Sequence, residues 1–540
     1  LANVAGHLKA GGHAAEIMDY SRVDVLDQLY PEGSRDVMSH LSDCLLDPGT
    51  NTALDTARTL WHTRRTERAF RAQRRSVELE LLDDLTSDPH LDLIGFSIMT
   101  PGDASVVLPL LRQIRERRAD VRTCAFGPFV DQFAEALMRV VPGLDFVCLG
   151  HPGDALVAWA DAHRANKSWE QVPNLAFRNG GRVVRTTIRS LASATARPAP
   201  AYDTDTYPAL DGANKPKLFT IQEPSAAGSD SASSQKVESL AMPRMMAADR
   251  VRDEMEGLAE AHGARAFHVD GAIADSDHAE TLAGRMRARG ANVAYTIRGS
   301  IHGDPEVMYR TLKASGCTAV SFQIDSGSQM LLENHYQHGF SVSDAEHHLS
   351  AAKRAGLFSV ARFTHPCSKD DYHTKAETLR FIGRTKPDAV HLGLPDCDPE
   401  RAWYGSAASY GYGLDAARYV DQLMNRGDGF AAPANRWRTL PFRVGTWSSG
   451  EVLRRHESMR AEVEELGLTS ELCDHMSLFA KFSGHSGQEH DLSMLVHRQL
   501  LTGDIGGLSE WIACFNDRAC VPAHADSQPQ SASARAAVGD

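Results

Sequence analysis

Residues 91–103 read Leu91-Asp92-Leu93-Ile94-Gly95-Phe96-Ser97-Ile98-Met99-Thr100-Pro101-Gly102-Asp103, and the stretch that they open decides the fold. Leu91–Ser97 is a short, mostly apolar run, the length of a buried parallel strand. It continues through Ile98 and Met99 into a Thr-Pro-Gly-Asp turn, and a helical pattern follows over Val106–Arg117. The unit then recurs. Val121–Phe126 is stopped by Gly127-Pro128 and followed by a helix through Phe133–Val140. Leu144–Leu149 is stopped by Gly150-His151-Pro152-Gly153 and followed by Ala155–Ala165. Strands alternating with helices imply right-handed crossovers and a doubly wound parallel sheet, an α/β fold. Upstream, Val4–Ala10 reads as a helix ended by Gly11-Gly12, and Ala14–Met18 as a strand. On that reading the strand that should precede residue 1 is absent, as in a truncated start. Residues 45–90 read as a helical insertion. Its Arg64, Arg65, Arg68, Arg71, Arg74 and Arg75 make a basic face that is either solvated or a phosphate or partner contact. Asn174–Arg178 and Arg182–Thr186 flank Asn179-Gly180-Gly181, a hairpin signal.

Outward from this unit, residues 1–188 form one domain, and the Ala-, Pro- and Thr-rich segment 189–216 reads as a linker. A second βα series fills 217–430, with strands at Lys217–Ile221, Ala264–Val269, Asn292–Ile297, Thr318–Ile324, Phe358–Phe363 and Ala389–Leu394. Six such units make an open or partial (β/α)6 barrel, whose ligands sit at the C-terminal strand ends. Residues 431–520 read as a helical C-terminal extension, with one clear helix at Gly450–Leu466, and 521–540 as a low-complexity, disordered tail.

Composition bounds the function. The chain has 540 residues, 42% hydrophobic and 24% charged, so it is globular and too long for one core. Its net charge of −13 argues against a protein held to nucleic acid by a basic field. Mean hydropathy is −0.33, and no apolar run reaches the roughly 18 residues of a membrane span. The nine cysteines are scattered, without a Cys-x-x-Cys pair, which reads as reduced thiols of a cytoplasmic protein.

Two stretches together resemble the cobalamin-binding radical S-adenosylmethionine (SAM) family. Ser97–Thr100, Gly127-Pro128 and Gly150-His151-Pro152-Gly153 stand where the Rossmann-like cobalamin domain of that family has a Ser or Thr loop, a Gly pair and Gly-Glu-Gly-Glu. Small residues at strand ends suit the nucleotide tail of a corrinoid. Gly316-Cys317, followed by Phe322-Gln323-Ile324-Asp325-Ser326-Gly327-Ser328-Gln329, resembles the Gly-Cys…Glu-Ser-Gly-Ser of radical SAM barrels. Asp325 stands for the usual Glu, and His338-Gly339 for a Lys-Gly. Asp270 and Arg298 end the second and third strands, as in the family. The resemblance therefore implies cobalamin contacts from Ser97, Thr100, Gly127, Pro128, Gly150 and Gly153, and SAM contacts from Arg298, Asp325 and Ser326. No Asp-x-His-x-x-Gly motif is present, so no protein ligand to cobalt is named.

The departure from the family is an absence. Its iron–sulfur cluster is held by Cys-x3-Cys-x2-Cys after the first barrel strand. Here Ser225, Ser229 and Ala232 reproduce that spacing without a thiol. A hydroxyl or methyl cannot replace thiolate on iron, so reductive cleavage of SAM is expected to be lost. Three readings remain. One is a cobalamin-dependent enzyme acting on SAM without an iron–sulfur cluster, by polar alkyl transfer. It would be a methyltransferase, or a cyclase making an aminocyclopropane carboxylate and releasing methylthioadenosine. Its catalytic candidates are Asp270, His268 and His365, and it needs an external reductant and a small-molecule substrate. The second is a non-catalytic cobalamin-binding or sensing protein. The third, a cluster enzyme using scattered cysteines, is discounted because none lies in the loop. Blander roles stand beside these: Ser97 and Thr100 can cap a helix, Asp270, Arg298 and Asp325 can form a salt-bridge network, and His268, His365 and His391 can be core histidines.

Overall fold

The computed structural model describes residues 1–39, 53–188, 198–222, 244–273, 275–287, 293–395, 408–425, 442–470 and 472–520. The chain opens with α1 (Ala2–Ala10), α2 (Val23–Leu29) and the long α3 (Ala53–Thr86). The first sheet follows: β1 (Leu93–Ser97), α4 (Pro101–Arg117), β2 (Arg122–Phe126), α5 (Pro128–Val140), β3 (Phe146–Cys148), α6 (Pro152–Arg164), then the hairpin β4 (Leu175–Asn179) and β5 (Arg182–Arg185). Strands β1, β2 and β3 are parallel, β4 and β5 antiparallel, and all five lie in chain order. The pleat divides their side chains. Ala125, Val147 and Ala176 face α4 and α5. Cys124, Phe126, Phe146 and Phe177 face α6, with Val4 and Leu8 of α1 packed on the same cluster. Helices thus cover both faces. Ala14–Met18 is not a strand: its Ile17 N donates to Thr206 O, and Ile17 packs on Ala201, Tyr207 and Leu210. Its alternating apolar residues meet a loop rather than a sheet edge. That same contact draws residues 198–210 of the expected linker into a small core. In α3, Arg74 pairs with Glu78 one turn on, and Arg68, Arg71 and Arg75 are exposed.

The second sheet has six parallel strands in chain order: β6 (Phe219–Gln222), β7 (Ala266–Ile273), β8 (Ala294–Gly299), β9 (Cys317–Asp325), β10 (Phe358–Thr364) and β11 (Ala389–Gly393). Between them lie α7 (Arg244–His262), α8 (Ser276–Arg287), α9 (Pro305–Ala314), α10 (Val342–Arg354) and α11 (Tyr372–Thr385). The sheet is open, with β6 and β11 at its edges. Val269, Tyr295, Phe322, Phe363 and Leu392 share one core with apolar residues of these five helices. A period-two alternation sends the intervening residues to the other face.

After β11 come β12 (Tyr412–Leu414) and α12 (Ala416–Met424). Then β13 (Phe442–Val444) and β14 (Trp447–Ser448) join β12 in a small antiparallel sheet that the sequence reading missed. Helix α12 belongs to the first sheet's core, through Tyr419, Val420 and Leu423, with Tyr419 stacked on Phe133 at 5.3 Å. This helix, which the sequence reading assigned to the 217–430 unit, thus packs on the first sheet instead. The C-terminal helices are α13 (Ser449–Glu465), α14 (His475–Ser483), α15 (Glu489–Thr502) and α16 (Ile505–Ala519). Val390 N of β11 donates to Thr469 O, Lys217 N beside β6 donates to Asn516 Oδ1, and Arg265 N donates to Ala519 O. No helix among the described residues is long and apolar enough to cross a membrane.

The loop after β9 shows how tightly the second unit closes. A Cβ on Gly327 would lie 2.6 Å from Phe381 Cβ and 2.7 Å from Thr378 Cα. Neither atom is the end of a flexible chain. Gly327→Ala is therefore expected to destabilise the protein by roughly 1–3 kcal/mol, read as a lower urea midpoint at unchanged slope.

Candidate functional site

The polar face of the second sheet is built by register. Thr220, His268 and Thr296 lie side by side across β6, β7 and β8. Arg298 pairs with Ser321, and Gln323, Arg362 and His391 form the row nearest the strand ends. One end of this face is covered. Ala266 packs with Phe515 and Ala519 of α16, with Phe479 and Phe482 of α14 against them, while Val360 and Ala389 pack on Leu472. The other end carries an exposed charge pair, Arg298 Nη2 to Asp270 Oδ1 at 3.8 Å.

Asp325, in contrast, is satisfied inside the protein. It is 1% exposed and has φ +66°. His338 Nε2 donates to Oδ2 at 2.6 Å, and Thr364 Oγ1 and Gln323 Nε2 donate to Oδ1 at 2.6 and 2.8 Å. Three donors hold one carboxylate, so both of its oxygens are partnered within the protein. Ser326 is buried too, accepting from Ser328 N and bonded to Thr378 Oγ1. Of the expected SAM contacts, Arg298 alone is partly open, and it pairs with Asp270.

The histidines are engaged as well. His268 Nδ1 lies 2.9 Å from Thr296 Oγ1, and burial, reinforced by His475, lowers its pKa to about 4. A base that weak is a poor proton acceptor near neutrality. His365 is 7% exposed, with Nδ1 3.1 Å from Asp370 Oδ2. His391 is held neutral by burial, its pKa lowered to about 4. Sequence reasoning missed His338, Gln323 and Thr364 as partners of Asp325. The only signal was His338 at the Lys-Gly position.

In the first sheet the three expected loops converge. Ile98 N donates to Phe126 O, and a Cβ on Gly127, whose φ is +115°, would meet Ile98 O at 2.6 Å. Gly127 is therefore required by the approach of two loops, with Pro128 at the first turn of α5. Thr100 caps α4 in a reciprocal box with Asp103, while Ser97, half-buried, ends β1. Gly150 N donates to Asp131 Oδ1 at 2.8 Å, and Gly153 faces the His7 ring of α1. Thr100, Gly150 and His151 are exposed, and Met99 presents a 56% exposed apolar side chain beside them. Asp131 was not foreseen. Burial raises its pKa to about 6, against the opposing pull of the Gly150 N–H.

The Ser225, Ser229 and Ala232 loop lies outside the described residues. Among the described residues no three cysteines come within ligand distance of one another.

No protein-family model and no curated protein matches the chain. Solved structures do. The radical SAM methyltransferase TsrM from Kitasatospora setae, with tryptophan substrate and a SAM analogue bound, aligns at 15% identity over 82% of this chain and 90% of that chain, with a TM-score of 0.53. The same enzyme with cobalamin and a 4Fe–4S cluster aligns at 14% identity over 88% and 96%, with a TM-score of 0.52. At such identities the likeness is one of fold.

Two outcomes follow from the buried carboxylates. His338→Leu strips the buried Asp325 carboxylate of a hydrogen-bond donor and is expected to cost roughly 1–3 kcal/mol in chemical denaturation; His338→Gln, which keeps a donor, loses less. For Asp131, the folded state favours the protonated acid. Its stabilising effect is complete below the ordinary value of 3.8 and is lost as pH rises through about 6. Asp131→Asn is therefore expected to be more stable than the parent at pH 7.5, on the order of 2 kcal/mol. The gap should vanish toward pH 4 when melting temperatures are compared.

Proposed function

We propose that this chain is a cobalamin-dependent enzyme acting on SAM by polar alkyl transfer, without an iron–sulfur cluster. The observation that carries the reading is the two-sheet fold, which it shares with TsrM over most of both chains. The sequence adds that no cysteine lies between Cys148 and Cys317, where the cluster motif would fall. The rim of the first sheet fits a corrinoid. Its exposed edge at Thr100, Gly150 and His151 is small or polar, and Met99 offers an apolar surface to a macrocycle. Gly127 and Gly153 support that rim from behind, since both are spent on packing. When bound and reduced, cobalamin supplies a nucleophile for a carbon attached to the SAM sulfonium.

The chain's own residues have simpler tasks. Asp270 and Arg298, half-exposed and of opposite charge, suit the ammonium and carboxylate of the methionine moiety. Asp325 and Ser326 hold the loop after β9 in place for them. Of the three base candidates for a cyclisation, Asp270 has the exposed side chain, while His268 and His365 are already bonded. The internal satisfaction of Asp325 favours the second reading, cobalamin binding without turnover.

Anaerobic purification with cobalamin, a visible spectrum and iron analysis test the cofactor half; a corrin spectrum without iron is expected. Incubation with SAM and a strong reductant tests the chemistry. S-adenosylhomocysteine identifies methyl transfer, and methylthioadenosine identifies attack on the side chain. Stoichiometric 5′-deoxyadenosine would overturn the polar route, and unchanged SAM would leave the binding protein. Loss of one charged contact weakens binding by roughly 1.5–3 kcal/mol, so Arg298→Gln should raise the KM for SAM about tenfold or more.

A further inference from the structure

We propose that His268, Asp474 and His475 form a binding site for one divalent transition-metal ion, where α14 meets the polar face of β7. One ligand-capable atom from each of the three side chains lies within 4.8 Å of the other two. That spread is wider than the spacing of ligands around one ion, so binding requires the side chains to rotate inward.

The carboxylate is the decisive group. Asp474 is 8% exposed, yet its buried Oδ2 has no hydrogen-bond partner, and neither has the buried Nε2 of His475. Asp474 stands at the N-cap of α14, where an Asp ordinarily accepts from the first turn, but its side chain makes no cap bond. Instead Oδ2 lies 3.7 Å from His268 Nδ1, and Oδ1 lies 4.0 Å from His475 Nε2. Both distances are too long for hydrogen bonds. Among the described residues no Lys or Arg forms an ion pair with this carboxylate. A buried carboxylate without donor or counter-charge is costly, and a divalent cation removes that cost.

The imidazoles complete the set. A neutral imidazole at His268 brings a lone pair rather than a charge. Its Nδ1 is the nitrogen that faces Asp474, so an ion bound there takes the place of the present contact with Thr296 Oγ1. The His268 and His475 rings stand 4.3 Å apart at 79°. Two imidazoles and one carboxylate suit zinc, iron(II), cobalt(II) or nickel(II) rather than magnesium or calcium, and leave one position for water. The ion would tie the C-terminal helices to the sheet, two residues along β7 from Asp270. The site uses no part of the first-sheet rim and requires no turnover, so it stands apart from the cofactor reading.

The test uses the full chain, free of affinity tag and corrinoid and stripped with a chelator. Titration with Zn2+ against a chromophoric competitor is expected to give one ion per chain and a higher melting temperature. Co2+ should give the ligand-field absorption of a low-coordinate site. Asp474→Asn and His475→Gln should each weaken Zn2+ binding about tenfold or more. Asp474→Asn also removes the unpaired charge, so without metal it should melt no lower than the parent, and its response to Zn2+ should be lost. Failure of the stripped parent to take up Zn2+, or binding by both substituted chains equal to the parent's, overturns the site.

Discussion

The pleat of the second sheet sets what the rest of the molecule must do. Apolar residues on one face, Tyr295, Phe322 and Phe363 among them, are buried under five helices. With a period of two, that burial forces Thr296, Arg298, Gln323 and His391 onto the other face. A polar face inside a protein has to be paired or wetted. At one end α14 and α16 cover it with apolar side chains. Toward the strand ends it is paired internally around Asp325, and at Asp270 and Arg298 it reaches solvent. The half-open charge pair Asp270 and Arg298 thus lies where a ligand can arrive.

The same economy operates in the first sheet. Its three strand-end loops hold one another through Ile98, Gly127 and Asp131, so small residues there serve packing before they serve any ligand. The two sheets are not independent beads either. Helix α12 leaves the second unit to pack on Phe133 of the first, and α16 returns to meet Val23 of α2.

Much of this was legible in the sequence, because buried parallel strands are short apolar runs and each is flanked by a helix of matching period. All six strands of the second sheet overlap the runs Lys217–Ile221 through Ala389–Leu394, although β7 runs on to Ile273, so Asp270 lies within that strand and not at its end as expected. The strand at Ala14–Met18 failed because alternation alone cannot tell a sheet edge from a loop contact. The sheet of β12, β13 and β14 has strands of three, three and two residues, too short to carry a period. The partners of Asp325 come from β10 and from the segment after β9, and Asp474 meets His268 from the far end of the chain. No local pattern encodes such pairings.

The outer edge of β11 is closed by Thr469, and the segments beside β6 and β7 by Asn516 and Ala519. On the ribosome, strands wound in chain order can pair as they emerge. The rim of β11, however, stays bare until residue 469 is made, and the contacts at Lys217 and Arg265 wait for almost the last helix. Closures of such sequence separation are slow. In the interval a nascent chain presents an open strand, a template for other chains. The C-terminal helices therefore also decide how long newly made protein remains at risk of association, a kinetic burden that the finished fold conceals.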